Sequence, residues 1–191
     1  MVRPPDFEAL YAADPDPWSV RDSWYERRKE AVVLALLARE RYEHGWDAAS
    51  GTGSLARALA DRCGRVTASD LSPRAVQLTE HLLAGIPHAT AVVSRLPEVP
   101  PLAEPPDLVV LSEVLYYLPD EDRARSLEAV GRVAAAPAEV VVVHWRHHPD
   151  DAYLPGAAAT EEADARLQRE GWERHTWHDD PDFVAASWVR P

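Results

Sequence analysis

Two kinds of apolar pattern alternate along the chain. Short, densely apolar runs at 45–49, 65–69, 89–93, 107–111 and 139–143 read as strands. The last two read as apolar throughout, as expected of strands covered on both faces. Between the runs, apolar residues recur at helical spacing. Over 22–40 they are Trp24, Tyr25, Val32, Val33, Leu36 and Leu37. Further helices are predicted over 54–62 with Gly64 as a C-terminal cap, over 73–83 with Pro73 in the first turn, and over 120–134 and 160–170. Residues 172–177 and 183–189 read as two closing strands. Their linker, Asp179-Asp180-Pro181-Asp182, is too short for a crossover, so the pair is antiparallel. Residues 1–20 are too proline-rich to read as helix. Strands alternating with helices predict an α/β fold, a mostly parallel sheet with helices on both faces.

At 191 residues, one domain is the simplest organisation: an N-terminal lid over 1–40 and a core over 41–191. Net charge is −12, which argues against nucleic acid and tolerates cationic ligands such as a sulfonium or an amine. Cys63 is the single cysteine, so no intramolecular disulfide is possible. No apolar run approaches the ~20 residues of a membrane span. There is no basic-then-apolar leader pattern. These features predict a cytoplasmic protein without a membrane partner, acting as a monomer or homodimer.

The candidate chemistry begins at Gly45–Ser54 (Gly-Trp-Asp-Ala-Ala-Ser-Gly-Thr-Gly-Ser). This is a strand running into a glycine turn and then a helix. Glycines let a backbone approach a ligand closely. Asp70 ends the next strand, where a carboxylate can accept hydrogen bonds from both ribose hydroxyls. The pattern predicts a nucleoside-bearing cofactor across two strand ends. Gly51-Thr52-Gly53-Ser54-Leu55-Ala56 also fits the dinucleotide pattern G-x-G-x-x-A, so a nicotinamide-dependent oxidoreductase stays open. Against it, the chain has no room for a separate substrate domain.

The glycine run, the Asp70-Leu71-Ser72-Pro73 turn and Ser112-Glu113-Val114-Leu115-Tyr116-Tyr117-Leu118 resemble the class I S-adenosylmethionine (SAM)-dependent methyltransferases. Asp14-Pro15-Asp16-Pro17-Trp18, Trp24-Tyr25-Glu26-Arg27-Arg28 and His144-Trp145-Arg146-His147 further resemble the nodulation protein S-like group. The resemblance implies a Rossmann-like, seven-stranded sheet with an antiparallel last strand. It also implies SAM at the carboxyl ends of the first, second and fourth strands. In the nodulation members the acceptor is an amine on a chito-oligosaccharide precursor; here a small-molecule amine or hydroxyl is expected.

On this footing Asp47, Ala49, Gly51, Gly53, Asp70, Leu71, Arg95, Leu96 and Ser112 are expected around the cofactor. Asp47 would face its ammonium and Leu71 its adenine. Arg28 or Arg27, on the lid helix, is expected to pair with its carboxylate, since a guanidinium fits a carboxylate bidentately. Glu113, His144 and Tyr116 are the catalytic candidates, the first two as proton acceptors from an amine. Trp18, Tyr25, Tyr116 and Arg146 are expected at the substrate. His147, His148, Asp150 and Asp151 fit no strong zinc spacing, so no metal is expected. Two positions depart from the family pattern. Ala49 stands where most members have glycine, which predicts weakened cofactor binding and backbone strain if φ is positive there. Ser94-Arg95 stands where many have an aspartate beside the adenine, leaving a backbone contact to replace it. A degenerate SAM-binding or regulatory protein, and a chain whose substrate comes from a partner, are the remaining alternatives.

Overall fold

The computed structural model describes residues 4–191. Seven strands form one sheet: β1 (Tyr42–Ala48), β2 (Cys63–Asp70), β3 (Ala89–Val93), β4 (Leu108–Ser112), β5 (Ala138–Trp145), β6 (Glu173–Asp179) and β7 (Phe183–Arg190). Their order is β3-β2-β1-β4-β5-β7-β6. All neighbours are parallel except β7, which is antiparallel to both β5 and β6. The seven-stranded α/β expectation therefore holds.

Six helices accompany the sheet: α1 (Phe7–Ala13), α2 (Trp24–Leu36), α3 (Ser54–Leu59), α4 (Pro73–Leu82), α5 (Asp120–Val133) and α6 (Gly156–Arg169). Two apolar cores lie on opposite faces of the sheet. One gathers Trp46, Val109, Leu111, Val140 and Val142 with Leu127 of α5 and Leu167 of α6. The other gathers Val66, Leu108, Val110, Val141 and Val143 with Val33 of α2 and Leu59 of α3. Alternate residues of β4 and β5 enter each core, which is why those strands carry apolar residues at nearly every position.

Three local expectations are corrected. The N-terminal segment does contain a helix: Asp6 caps α1 by accepting the Ala9 N–H at 3.1 Å, and the neighbouring prolines flank the helix without entering it. Gly64 does not cap α3, which stops at Leu59. It lies within β2, where a Cβ would come within 3.2 Å of the Glu43 carbonyl. Nor is β5 wholly apolar. Glu139 is 1 % exposed and accepts the Ala38 N–H, which follows α2, and the Tyr42 hydroxyl of β1.

The chain runs outward from β1 through β2 to β3, then returns to place β4 on the other side of β1. Loops leaving the carboxyl ends of β1 and β4 therefore diverge, and a crevice opens between them. No described helix is long and apolar enough to cross a membrane.

Candidate active site

A cleft of about 920 Å³ lies over the carboxyl ends of β1, β2 and β4, roofed by α1 and α2. Its two ends differ in chemistry. At the β1–β2 end, Asp47 is 1 % exposed, lines the cleft, and has no hydrogen-bond partner on either oxygen. Burial, with the nearby Asp70 charge, pushes its pKa up to about 7.

The turn after β1 carries positive φ at Ala49 (66°), Gly51 (56°) and Gly53 (86°). At Gly51 a Cβ would also lie 2.9 Å from the Tyr11 hydroxyl, so conformation and space both favour glycine. Asp70 braces the turn: one oxygen accepts the Gly51 N–H and the other the Ser72 N–H, both at 2.9 Å. Each oxygen keeps one lone pair for another donor. Glu8 of α1 accepts the Ser72 hydroxyl and the Arg74 N–H, pinning the roof to the start of α4.

At the β4 end stands Glu113, held at φ 55°. One of its oxygens accepts from the Lys29 ammonium at 2.6 Å and the Tyr25 hydroxyl at 3.2 Å. The other accepts from the Tyr116 hydroxyl and the Trp145 N–H, both at 2.7 Å. All four lone-pair sites are therefore taken. Burial pushes the Glu113 pKa up, but the Lys29 charge together with the hydrogen bonds from Lys29 and the Trp145 N–H holds it below the ordinary range.

Several sequence-predicted residues line this cleft together: Asp47, Ala49, Gly51, Asp70, Leu71, Arg95, Ser112, Glu113, Tyr116, Trp18 and Tyr25. Others do not. Gly53 sits behind the wall, where a Cβ would strike Thr79 of α4 at 2.7 Å, so its glycine serves helix packing. Leu96 belongs to the apolar core. Arg28 points away to the β6–β7 turn and pairs bidentately with Asp180, which removes it from any cofactor carboxylate. Arg146 is spent on Asp179 and the Asp180 carbonyl, while its neighbour Trp145 takes the cleft position.

His144 is not a base for substrate. It is fully buried, its Nε2 accepts the Leu115 N–H at 3.2 Å, and its Nδ1–H meets Thr160 Oγ1 at 2.9 Å. Burial pushes its pKa down to about 4, so it stays neutral and structural. Glu113, saturated with donors, is equally unfit to collect a proton in this arrangement.

Sequence reasoning passed over Lys29 and Glu30, which line the cleft. The signal was present: Glu26, Lys29, Glu30 and Val33 recur at i, i+3, i+4 and i+7, and Val33 is wholly buried in the core. One face of the charged run must therefore turn inward. Among the described residues, no cluster of three or more His, Cys, Asp or Glu is placed to hold a metal ion.

Comparison with known proteins agrees with this geometry. Residues 46–136 match the family model described as a methyltransferase domain. A Pseudomonas syringae crystal structure, provisionally named a methyltransferase, is 34 % identical, with a TM-score of 0.76 over 88 % of this chain and 100 % of that one. The chain belongs to the class I SAM-dependent methyltransferases.

This methyltransferase is similar in sequence to nodulation protein S. It is 34 % identical over 110 residues to nodulation protein S of Rhizobium tropici, covering 57 % of this chain and 45 % of the relative. The match to the Sinorhizobium fredii protein is 28 % over 106 residues, 55 % of this chain and 49 % of that relative. It thus spans about half the length of these curated relatives. The N-methyltransferase nodulation protein S from Bradyrhizobium japonicum WM9, solved with S-adenosylhomocysteine (SAH), superposes with a TM-score of 0.81 at 23 % identity. That superposition covers 97 % of this chain and 96 % of the other, and shows the shared fold.

Proposed function

We propose that the protein transfers a methyl group from SAM to an amine of a small molecule. The observation that carries the cofactor half is Asp47, a buried carboxylate facing the cleft with both oxygens unpartnered. Such a group is costly unless a ligand supplies donors, and the ammonium of SAM does so. Asp70 would hold the ribose hydroxyls with its two spare lone pairs, and the 40 %-exposed Leu71 would pack on the adenine. The bare backbone at Gly51 lets the methionine portion pass. The residues present therefore suit the cofactor. When bound, SAM supplies an activated methyl on a positive sulfur.

The chain's own residues align the acceptor and exclude water. Acidic side chains outnumber basic ones along the cleft, which favours an amine over a neutral hydroxyl compound. The nodulation protein S neighbour, by its name an N-methyltransferase, supports the same choice. With His144 outside the cleft, the amine gives up its proton to water before it attacks the methyl group. Binding without transfer is a second reading, favoured by the strained alanine in the cofactor turn.

Calorimetry with SAH and with NAD, followed by incubation with SAM and a panel of primary amines, tests the proposal. SAH binding and a product heavier by one methylene group are expected. NAD binding without SAH binding sinks the cofactor reading; SAH binding with no amine methylated leaves the non-catalytic reading.

A further inference from the structure

Lys29, the single lysine of the chain, occupies an unusually complete cation site. Its ammonium lies 2.6 Å from Glu113 Oε1 and 2.8 Å from Glu26 Oε2, and 4.9 Å from the centre of the Tyr25 ring. Two carboxylates and an aromatic face are what a protein uses to recognise a ligand ammonium. All four side chains line the cleft. Only 7 % of the Lys29 side chain is exposed, and Glu113 and Glu26 are also largely covered. For a structural ion pair, burial of this kind is a poor route to stability. For a ligand site it is a suitable design, since the carboxylates are desolvated in advance.

We propose that Glu26, Glu113 and the Tyr25 face form the docking socket for the acceptor's cationic amine, and that Lys29 is its resident occupant. The acceptor enters by displacing Lys29 from Glu113. Lys29 retains its contact with Glu26, three residues earlier on the same helix, so it moves aside without losing its last counter-charge. The socket is thereby never left as two bare carboxylates. It also discriminates. A neutral molecule cannot replace an ammonium between two acids, so hydroxyl-only compounds are rejected at this end of the cleft. Lys29 therefore sets specificity through competition. This inference rests on the amine-acceptor reading above and deepens it.

Because there is one lysine, isotopic labelling at lysine Cε gives one resonance. The wild-type protein is titrated with methylammonium chloride, with sodium chloride at matched ionic strength as control. Methylammonium is expected to shift the Lys29 signal saturably and sodium is not; identical responses overturn the proposal. In Lys29→Met, which keeps the apolar stem and removes the competitor, methylammonium should bind at least about tenfold more tightly than to wild type. Adding Glu113→Gln should abolish that gain. A gain that survives Glu113→Gln places the cation elsewhere and also overturns it. If Lys29→Met does not fold, the wild-type titration decides alone. SAH binding is followed in the same samples. Loss of SAH binding beside an intact methylammonium response removes the cofactor reading and leaves the socket standing.

Discussion

Two carboxylates, Asp47 wholly buried and Glu113 largely covered, face one cleft and are treated in opposite ways. Asp47, at the end of β1, has no donor on either oxygen. Glu113, just past β4, has four. The chain could have satisfied both from its own side chains, and it satisfied one. Their acidities diverge accordingly, Asp47 upward to about 7 and Glu113 below its ordinary range. The difference separates a group that waits for a ligand's charge from a group already organised by the protein. It also gives the two ends opposite dependences on pH.

The largest effect is expected at the satisfied acid. Glu113→Ala leaves the Lys29 ammonium buried with one partner in place of two. Breaking a buried pair from one side costs about 3 kcal/mol, the lower end of the usual range because Glu26 remains. Urea unfolding of both proteins reads this directly. A loss below about 1 kcal/mol would mean that the pair is solvent-screened like a surface bridge.

Next comes Asp70, whose oxygens brace the turn and keep lone pairs free. Asp70→Ala should weaken SAH binding about a hundredfold, from two lost charge-assisted hydrogen bonds of about 1.5 kcal/mol each. Calorimetry on variants shown to be folded measures it; unchanged affinity would take the ribose away from this carboxylate.

Asp47 should show itself through pH. Its folded pKa of about 7 stands above an unfolded value near 3.9, so the folded state binds its proton more tightly. That contribution is fully present below about pH 3.9 and is lost as pH rises through about 7. Ligand-free protein should therefore lose Tm relative to Asp47→Asn across that window. Glu113 runs the other way: its contribution is present above its unfolded pKa and lost on acidification. Saturating SAH should flatten the Asp47 slope, because the ligand's ammonium stabilises the ionised form. A slope indifferent to both Asn and SAH would remove Asp47 from the cofactor site.

The sequence made the cofactor end far more legible than the other. Asp47, Gly51 and Asp70 are tied to strand ends and a turn, where local spacing determines position. Glu113 was placed by the same logic, but its partners arrive from α2, the turn after β4 and the end of β5. Side chains converging from such separations leave no local signal. His144 and Arg146 show the limit from the other side. Both sit near the end of β5 as expected, yet one turns into the core against Thr160 and the other out to Asp179. A strand alternates faces, and only one face at that end meets the cleft. Trp145 occupies it. The strand pattern itself was readable because burial on both faces demands unbroken apolar runs, whereas α1 is too short for any period to emerge.

The smallest expected effect is the most direct test of how far the cofactor turn is optimised. Ala49 holds φ 66°, a conformation that costs a side-chain-bearing residue about 1–2 kcal/mol. Glycine removes that strain but frees the unfolded chain, which takes back about 0.4–1 kcal/mol. Ala49→Gly should therefore stabilise the ligand-free protein by about 0.5 kcal/mol, near the resolution of denaturant titration. SAH affinity separates two accounts of why alanine is present. If the methyl group also crowds the ligand, affinity rises by more than the stability gain converts to. If the turn is merely strained in both states, affinity is unchanged while stability improves. A loss of stability on introducing glycine would mean that the Ala49 methyl makes packing contacts worth more than the strain it brings.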